Sequence, residues 1–208
     1  MKIIVFGANG RVGSLVVKRC LEQGHNVTAF VRGNHTFQSS PNLSIVQGDI
    51  YDSSSIESAI PGHNAVISCL GSWGTPKKDI LATAMRTIVP TMEAHGVQRL
   101  VSLTGSDARA SGDTIDLINR ITHPIFSLLA PKIMRDGEEH IQIISKSNLS
   151  WTVLRSPVMN DKGRTMYKLR DRRPKPWHTI NRNAVAHALV DLAATNDHLK
   201  SSPYIYRD

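Results

Sequence analysis

Lys2-Ile3-Ile4-Val5-Phe6-Gly7-Ala8-Asn9-Gly10-Arg11-Val12-Gly13 is the stretch on which the fold turns. A short apolar, β-branched run meets three glycines spaced three apart, and Val12, Val16 and Cys20 then recur at helical intervals. Strand, tight turn and helix in immediate succession open a β-α-β unit. The same alternation continues outward. Strand-length runs follow at 26–31, 43–47, 65–70, 99–103 and 151–154. Helical spacing lies between them in Ile80, Ala84, Ile88, Met92 and again in Ile133, His140, Ile141, Ile144. Near-continuous apolar strands separated by helices are what a parallel sheet covered on both faces requires. The expectation is an α/β, doubly wound, mostly parallel sheet, the Rossmann fold. Gly24 and Gly96 end helices, Pro61-Gly62 precedes a strand, a last helix is expected near 184–194 and a short strand near 204–206.

The 208 residues and 22.9 kDa suit one domain, residues 1–208, with a small C-terminal segment on the substrate side of the sheet. Between residues 107 and 131 the pattern loosens around Ile125, Phe126, Leu128 and Leu129, after the fifth strand. There it reads as a lid over the carboxyl edge, where open parallel sheets bind ligands. Forty per cent hydrophobic and twenty per cent charged residues exclude a disordered chain. Cys20 and Cys69 are too few for a disulfide framework or a metal cage. No apolar run approaches a membrane span and no cleavable leader is legible, so a cytoplasmic protein without a membrane partner is expected. The net charge of +8 is concentrated: residues 162–175 carry seven cations against Asp171, while the remainder holds eighteen basic and sixteen acidic groups.

The glycine turn is the strongest chemical signal. Gly7 permits a tight turn, Gly10 lets main-chain amides approach a diphosphate, and Gly13 lets the helix pack on the strand. With Asn9, Arg11 and Val12 these residues form a candidate dinucleotide cradle at a helix N-terminus, whose free N–H groups and dipole favour anions. The end of the second strand distinguishes the dinucleotides, since a carboxylate there holds both ribose hydroxyls and a cation pairs with a 2′-phosphate. Val31-Arg32-Gly33-Asn34-His35 has no acid. Arg32, with Arg11 as a second cation, favours NADP(H) over NAD(H). Asp49 and Ile50 close the third strand; Asp49 either accepts from the adenine amino group or caps the helix starting near Ser53.

These segments, with Ser68-Cys69-Leu70-Gly71, Leu149-Ser150-Trp151-Thr152-Val153-Leu154-Arg155-Ser156-Pro157 and Ile180-Asn181-Arg182-Asn183-Ala184-Val185-Ala186, resemble the atypical short-chain dehydrogenases. The nearer likeness is to the NAD(P)H-binding, NmrA-like group that includes flavin-reducing biliverdin reductases. The resemblance covers nearly the whole chain. It implies a cofactor across the strand ends, with Leu70, Gly71 and Ser72 beside its ribose and diphosphate. It also implies Thr104, Gly105 and Ser106 near the nicotinamide and Pro157 with Val158 along its edge. Ser156 stands where that family often has Pro, and Asn183 where it often has Asp.

The Tyr-x-x-x-Lys pair used by ketone-reducing members is missing: Tyr51, Tyr167 and Tyr204 are followed four positions on by Ser55, Asp171 and Asp208. Gly137 occupies the position aligned with a helical Lys of many relatives. His140, one turn further along that face, is the candidate proton donor. A flavin or quinone, however, takes hydride onto its own conjugated rings, so orientation of two rings suffices. Trp73 and Phe126 are the candidate shelf for such a planar acceptor. The expected activity is NADPH-dependent reduction of a flavin, quinone or similar molecule; the alternative is a non-catalytic NADP(H) sensor. The basic segment could hold a phosphate-bearing or carboxylate-bearing acceptor or be a solvated loop. Nucleic acid is disfavoured because aromatics are sparse near it, and the oligomeric state is left open.

Overall fold

Strand β1 (Lys2–Phe6) lies inside an eight-stranded sheet. On one side come β2 (Asn26–Val31) and β3 (Leu43–Gln47); on the other come β4 (Ala65–Ser68), β5 (Arg99–Gly105) and β6 (Ser150–Ser156). These six run parallel. The chain winds outward from β1 to β3, crosses back to β4 and winds the other way, so the direction of winding reverses above β1 and β4. A crevice for a dinucleotide opens at such a point. The computed structural model describes residues 1–73, 75–114 and 117–208, and describes only the backbone of residues 117–119, 121, 122 and 126.

Alternation along the strands sorts their side chains onto two faces. Ile3, Val5, Val27, Ala29, Ala65, Ile67 and Val101 pack with Val16, Val17 and Cys20 of α1 (Gly13–Glu22) and with Ala184, Val185, Ala188 and Leu189 of α6 (Arg182–Ala194). Ile4, Phe6, Phe30, Val66, Leu100 and Val153 pack against α2 (Ser53–Ala59), α3 (Ile80–Ala94) and α5 (Pro131–Ser145) through Ile56, Met85, Ile88, Met92, Ile141 and Ile144. Each fully buried Val, Leu, Ile, Phe or Met among them contributes about 1.5–3 kcal/mol. Both cysteines are free.

Two regions carry secondary structure that the sequence reading did not specify. The loosely patterned stretch 107–131 contains a helix, α4 (Leu117–Leu129), joined to α5 through His123 Nε2 and Glu138 Oε1 at 2.8 Å. The basic segment is not wholly a loop, because β8 (Tyr167–Arg170) pairs antiparallel with β10 (Tyr204–Arg207), itself parallel to β6. Its alternation of half-buried Tyr167 and Leu169 with exposed Lys168 and Arg170 is a half-buried edge strand whose outer face is cationic. Two three-residue strands, β7 (Val158–Asn160) and β9 (Thr179–Asn181), pair separately beyond β6. No helix among the described residues is long and apolar enough to cross a membrane.

Candidate functional site

The glycine turn joins β1 to α1 at the reversal of strand order. Gly7 has φ +72°, and a Cβ there would stand 2.8 Å from the Cys69 carbonyl oxygen at the end of β4. A Cβ on Gly13 would lie 2.1 Å from the Gly7 oxygen. Both distances are shorter than any van der Waals contact, so turn, helix and neighbouring strand close together only because these side chains are missing. Gly10 donates to the Gly7 oxygen at 2.9 Å and is exposed. Gly71, in the loop after β4, and Gly105, at the end of β5, have no atom within 4 Å of an added Cβ. The turn is thus backed by packed main chain and faces open space.

Among the described residues the start of α1 also lacks a side-chain cap, as does that of α5, while three other helices are capped. Asp52 caps α2 by accepting from Ser54 N, and Asn181 caps α6 by accepting from Asn183 N. Asp136 of α5 caps α3, accepting from Leu81 N at 3.1 Å and Ala82 N at 2.8 Å. Among the described residues no side chain accepts from the first turn of α1, whose N-cap is Val12. Its positive dipole end lies beside exposed Arg11. Exposed Arg32 lies past the end of β2, and among the described residues neither arginine has an ion-pair partner. Asn9 supports this arrangement from the side. Its Nδ2 donates to the Asn34 carbonyl at 2.9 Å, which ties the glycine turn to the loop carrying Arg32. The residues present therefore fit a dinucleotide with its diphosphate at the turn.

Other site expectations are redistributed. The cap of α2 belongs to Asp52, which leaves Asp49 beside the cleft with Oδ1 accepting from Tyr51 N at 3.1 Å. Gly48, just before it, is demanded by packing, since a Cβ would come within 2.5 Å of the Phe30 ring. Ile50 and Leu70 pack against the core beneath. Ser72 is buried and donates its hydroxyl to Asp136 Oδ2, so that hydroxyl secures the loop after β4. Lys78 Nζ secures the same loop through the Ser72 carbonyl at 3.2 Å. Thr104 and Ser106 are buried at the end of β5, and Ser106 N donates to the Ser156 carbonyl at 2.8 Å. Pro157 is buried while Val158 is 69% exposed. Trp73 is 72% exposed beside the cleft. The Phe126 side chain lies outside the described residues.

His140 does not fill the role of proton donor. It is fully buried, hydrogen-bonded through Nε2 to Ser102 Oγ at 2.7 Å, and burial pushes its pKa down to about 3. The ring is neutral at physiological pH and has no cationic proton to give. All four phenols are committed as well. Tyr51 donates to Asp79 at 2.8 Å, Tyr167 to Asp191 at 2.7 Å, Tyr206 to the Arg172 carbonyl at 2.6 Å and Tyr204 to Asp113 at 3.4 Å. At Gly137 a Cβ would meet Ala108 at 3.0 Å and Thr104 at 3.2 Å. The space that a helical lysine would need is filled.

Three supporting residues, Asp136, Arg155 and Asp113, are not among those the sequence singles out. Asp136 is four residues before His140, and that spacing on the buried face of α5 is the signal that could have found it. Arg155 of β6 is buried, lies 3.7 Å over the Tyr204 ring and makes a bidentate pair with Asp113. It anchors the segment entering α4, and no local pattern links residues so distant in sequence.

Comparison with known proteins identifies the family and agrees with the fold. A family model described as NAD(P)H-binding matches residues 7–196. The 2-alkyl-3-oxoalkanoate reductase of Stenotrophomonas maltophilia (strain K279a) is 28% identical over 138 residues, covering 64% of this chain and 39% of that protein. This chain spans between 35% and 42% of the first three curated relatives it matches. A candidate NADH-flavin reductase from Streptococcus pneumoniae TIGR4 superposes with TM-score 0.81, 20% identity and full coverage of both chains. A short-chain dehydrogenase/reductase from Veillonella parvula DSM 2008, solved in complex with NADP, superposes with TM-score 0.79 at 17% identity, covering 99% of this chain and 94% of that one.

Proposed function

This chain belongs to the NAD(P)H-binding family, and on that premise we propose that it is an NADPH-dependent reductase whose acceptor is a flavin, quinone or similar planar molecule. The observation that carries the reading is the uncapped start of α1 behind a turn packed too tightly for side chains, flanked by Arg11 and Arg32. The main-chain N–H groups of residues 11–13 hold the diphosphate, and the two guanidinium groups hold a 2′-phosphate. Asp49 receives the adenine amino group, while Leu70, Gly71 and Gly105 leave room for the ribose and nicotinamide. NADPH supplies a hydride when bound.

The chain's own part is to orient and to exclude water. With His140 neutral and the four phenols committed, no positioned acid stands at the strand ends among the described residues. An acceptor that spreads the incoming charge over conjugated rings and takes its proton from solvent suits such a site. Trp73 offers it an exposed indole face, and α4, with Ile125, Leu128 and Leu129 exposed, acts as the lid. The name of the pneumococcal structural neighbour supports a flavin.

The same lack of an acid favours one other reading, a sensor in which bound NADP(H) orders α4 without turnover. Steady-state NADPH oxidation with a panel of flavins and quinones separates the two. Saturable acceptor-dependent turnover is expected; tight NADPH binding with no turnover across the panel would replace the reductase by the sensor.

A further inference from the structure

The cationic segment builds a cavity that the dinucleotide cleft does not use. Residues 171–178 leave β8 and fold back across β10, enclosing about 280 Å³ lined in part by Arg170, Arg172, Arg173, Lys175, His178 and Tyr206. Its walls are held in place. Tyr206 donates its hydroxyl to the Arg172 carbonyl, His178 N donates to the Lys175 carbonyl at 2.9 Å, and the His178 ring stands edge-on to Tyr206 at 6.1 Å. Pro174 and Pro176 restrict the intervening backbone. The concavity is therefore a feature of the fold and not a loose run of charges.

Its charge is unbalanced. Arg173 pairs with Asp107, but among the described residues Arg170, Arg172 and Lys175 have no carboxylate partner. Arg170 instead sits 5.3 Å from the Tyr206 ring and Lys175 5.4 Å from the Trp177 ring. Like charges gathered in a concave surface focus a positive potential, and arginine forks match the oxygens of phosphate. Three such cations suit a dianion better than a monocarboxylate. The Arg173–Asp107 pair joins this wall to the loop leaving β5, so the cavity adjoins the substrate side of the carboxyl edge. Trp177, 67% exposed, adds a flat apolar face beside it.

We propose that this cavity is an oxyanion subsite, separate from the dinucleotide turn, that takes a phosphate-type dianionic group carried by the acceptor. Assignment of that group to the acceptor rests on the reductase reading; the binding of a dianion does not. Calorimetry on protein saturated with NADPH, so that the turn is filled, tests the subsite. Inorganic phosphate is expected to bind once per chain, about tenfold more weakly to the Arg170→Ala/Arg172→Ala double variant, and more tightly than acetate. Absence of phosphate binding, or equal binding to the variant, overturns the subsite. So does single-stranded oligonucleotide binding that exceeds phosphate binding and falls steeply with salt, which would make the segment a polyanion surface.

The acceptor assignment has its own readout. FMN and riboflavin carry the same ring system and differ in the phosphate, so the wild type should show the lower KM for FMN, with the ratio of the two approaching one in the double variant. An FMN preference that survives the substitutions overturns the assignment. If neither flavin is turned over, the flavin reading of the reductase and the assignment of the dianion to it fail together. The phosphate titration then still decides the subsite.

Discussion

The proposed selectivity for NADPH rests chiefly on one side chain, Arg32. Its guanidinium stands past β2 with no acid in Val31-Arg32-Gly33-Asn34-His35, so the proposal expects it to attract a 2′-phosphate and to add little for a bare ribose. Charge-assisted bonds of this kind contribute about 1.5–3 kcal/mol. Arg32→Glu should therefore weaken NADPH binding about ten- to a hundredfold and NADH binding about twofold or less, as read by calorimetry. Equal losses for both nucleotides would remove the assignment. His140 has a different signature. Burial lowers its folded-state pKa from 6.5 to about 3, so between those values the unfolded chain binds more protons than the native one. Its contribution is complete above pH 6.5 and is lost as pH falls toward 3. Denaturant titrations across that range should show a flatter acid dependence of stability in His140→Gln; an unchanged slope would contradict the burial argument. The glycine turn and Arg32 are readable from sequence because each acts through local chemistry. The neutrality of His140 is not, because it depends on the helix and strand that cover it.

The elements meet through a few buried polar residues. Asp136 joins α5 to the start of α3 and to Ser72 in one carboxylate, and Arg155 joins β6 to the segment that enters α4. Asp136→Asn removes the charge at the α3 dipole and one of the acceptors for three donors. A loss of about 1–3 kcal/mol in unfolding free energy is expected, together with weaker NADPH binding if the loop after β4 borders the cofactor as proposed. A stable variant with unaltered binding would show that the clamp does not position that loop. Strands β1 to β6 and helices α1, α2, α3, α5 and α6 are legible because periodicity and glycine punctuation are local. Helix α4 is hidden by Pro124 and by the weak patterning around it, and β8 by cations on the outward half of its alternation. The docking of Asp136 and Arg155 depends on contacts across 54 to 64 and 42 residues respectively, which no window of sequence contains.

For the whole molecule, the +8 charge is divided between a near-neutral body and the segment 162–175, four of whose seven cations line the cavity. The glycine turn lies outside that segment, so the proposed dinucleotide site relies on local geometry. Binding to the native state alone stabilises by mass action, about 2.7 kcal/mol at a ligand concentration a hundred times Kd. For a chain of this length that is a rise in Tm of about 5–10 °C. NADPH should produce it in thermal unfolding, NADH at the same concentration should produce less, and Arg32→Glu should bring the NADPH shift down toward that of NADH. Equal shifts in the wild type would contradict the preference.

The proposed function depends most on where the diphosphate sits. Diffraction from crystals grown with NADPH tests this directly, with the diphosphate expected against the main-chain amides of residues 11–13 and the 2′-phosphate near Arg11 and Arg32. A nucleotide bound elsewhere, with the β1–α1 turn bare, would contradict it.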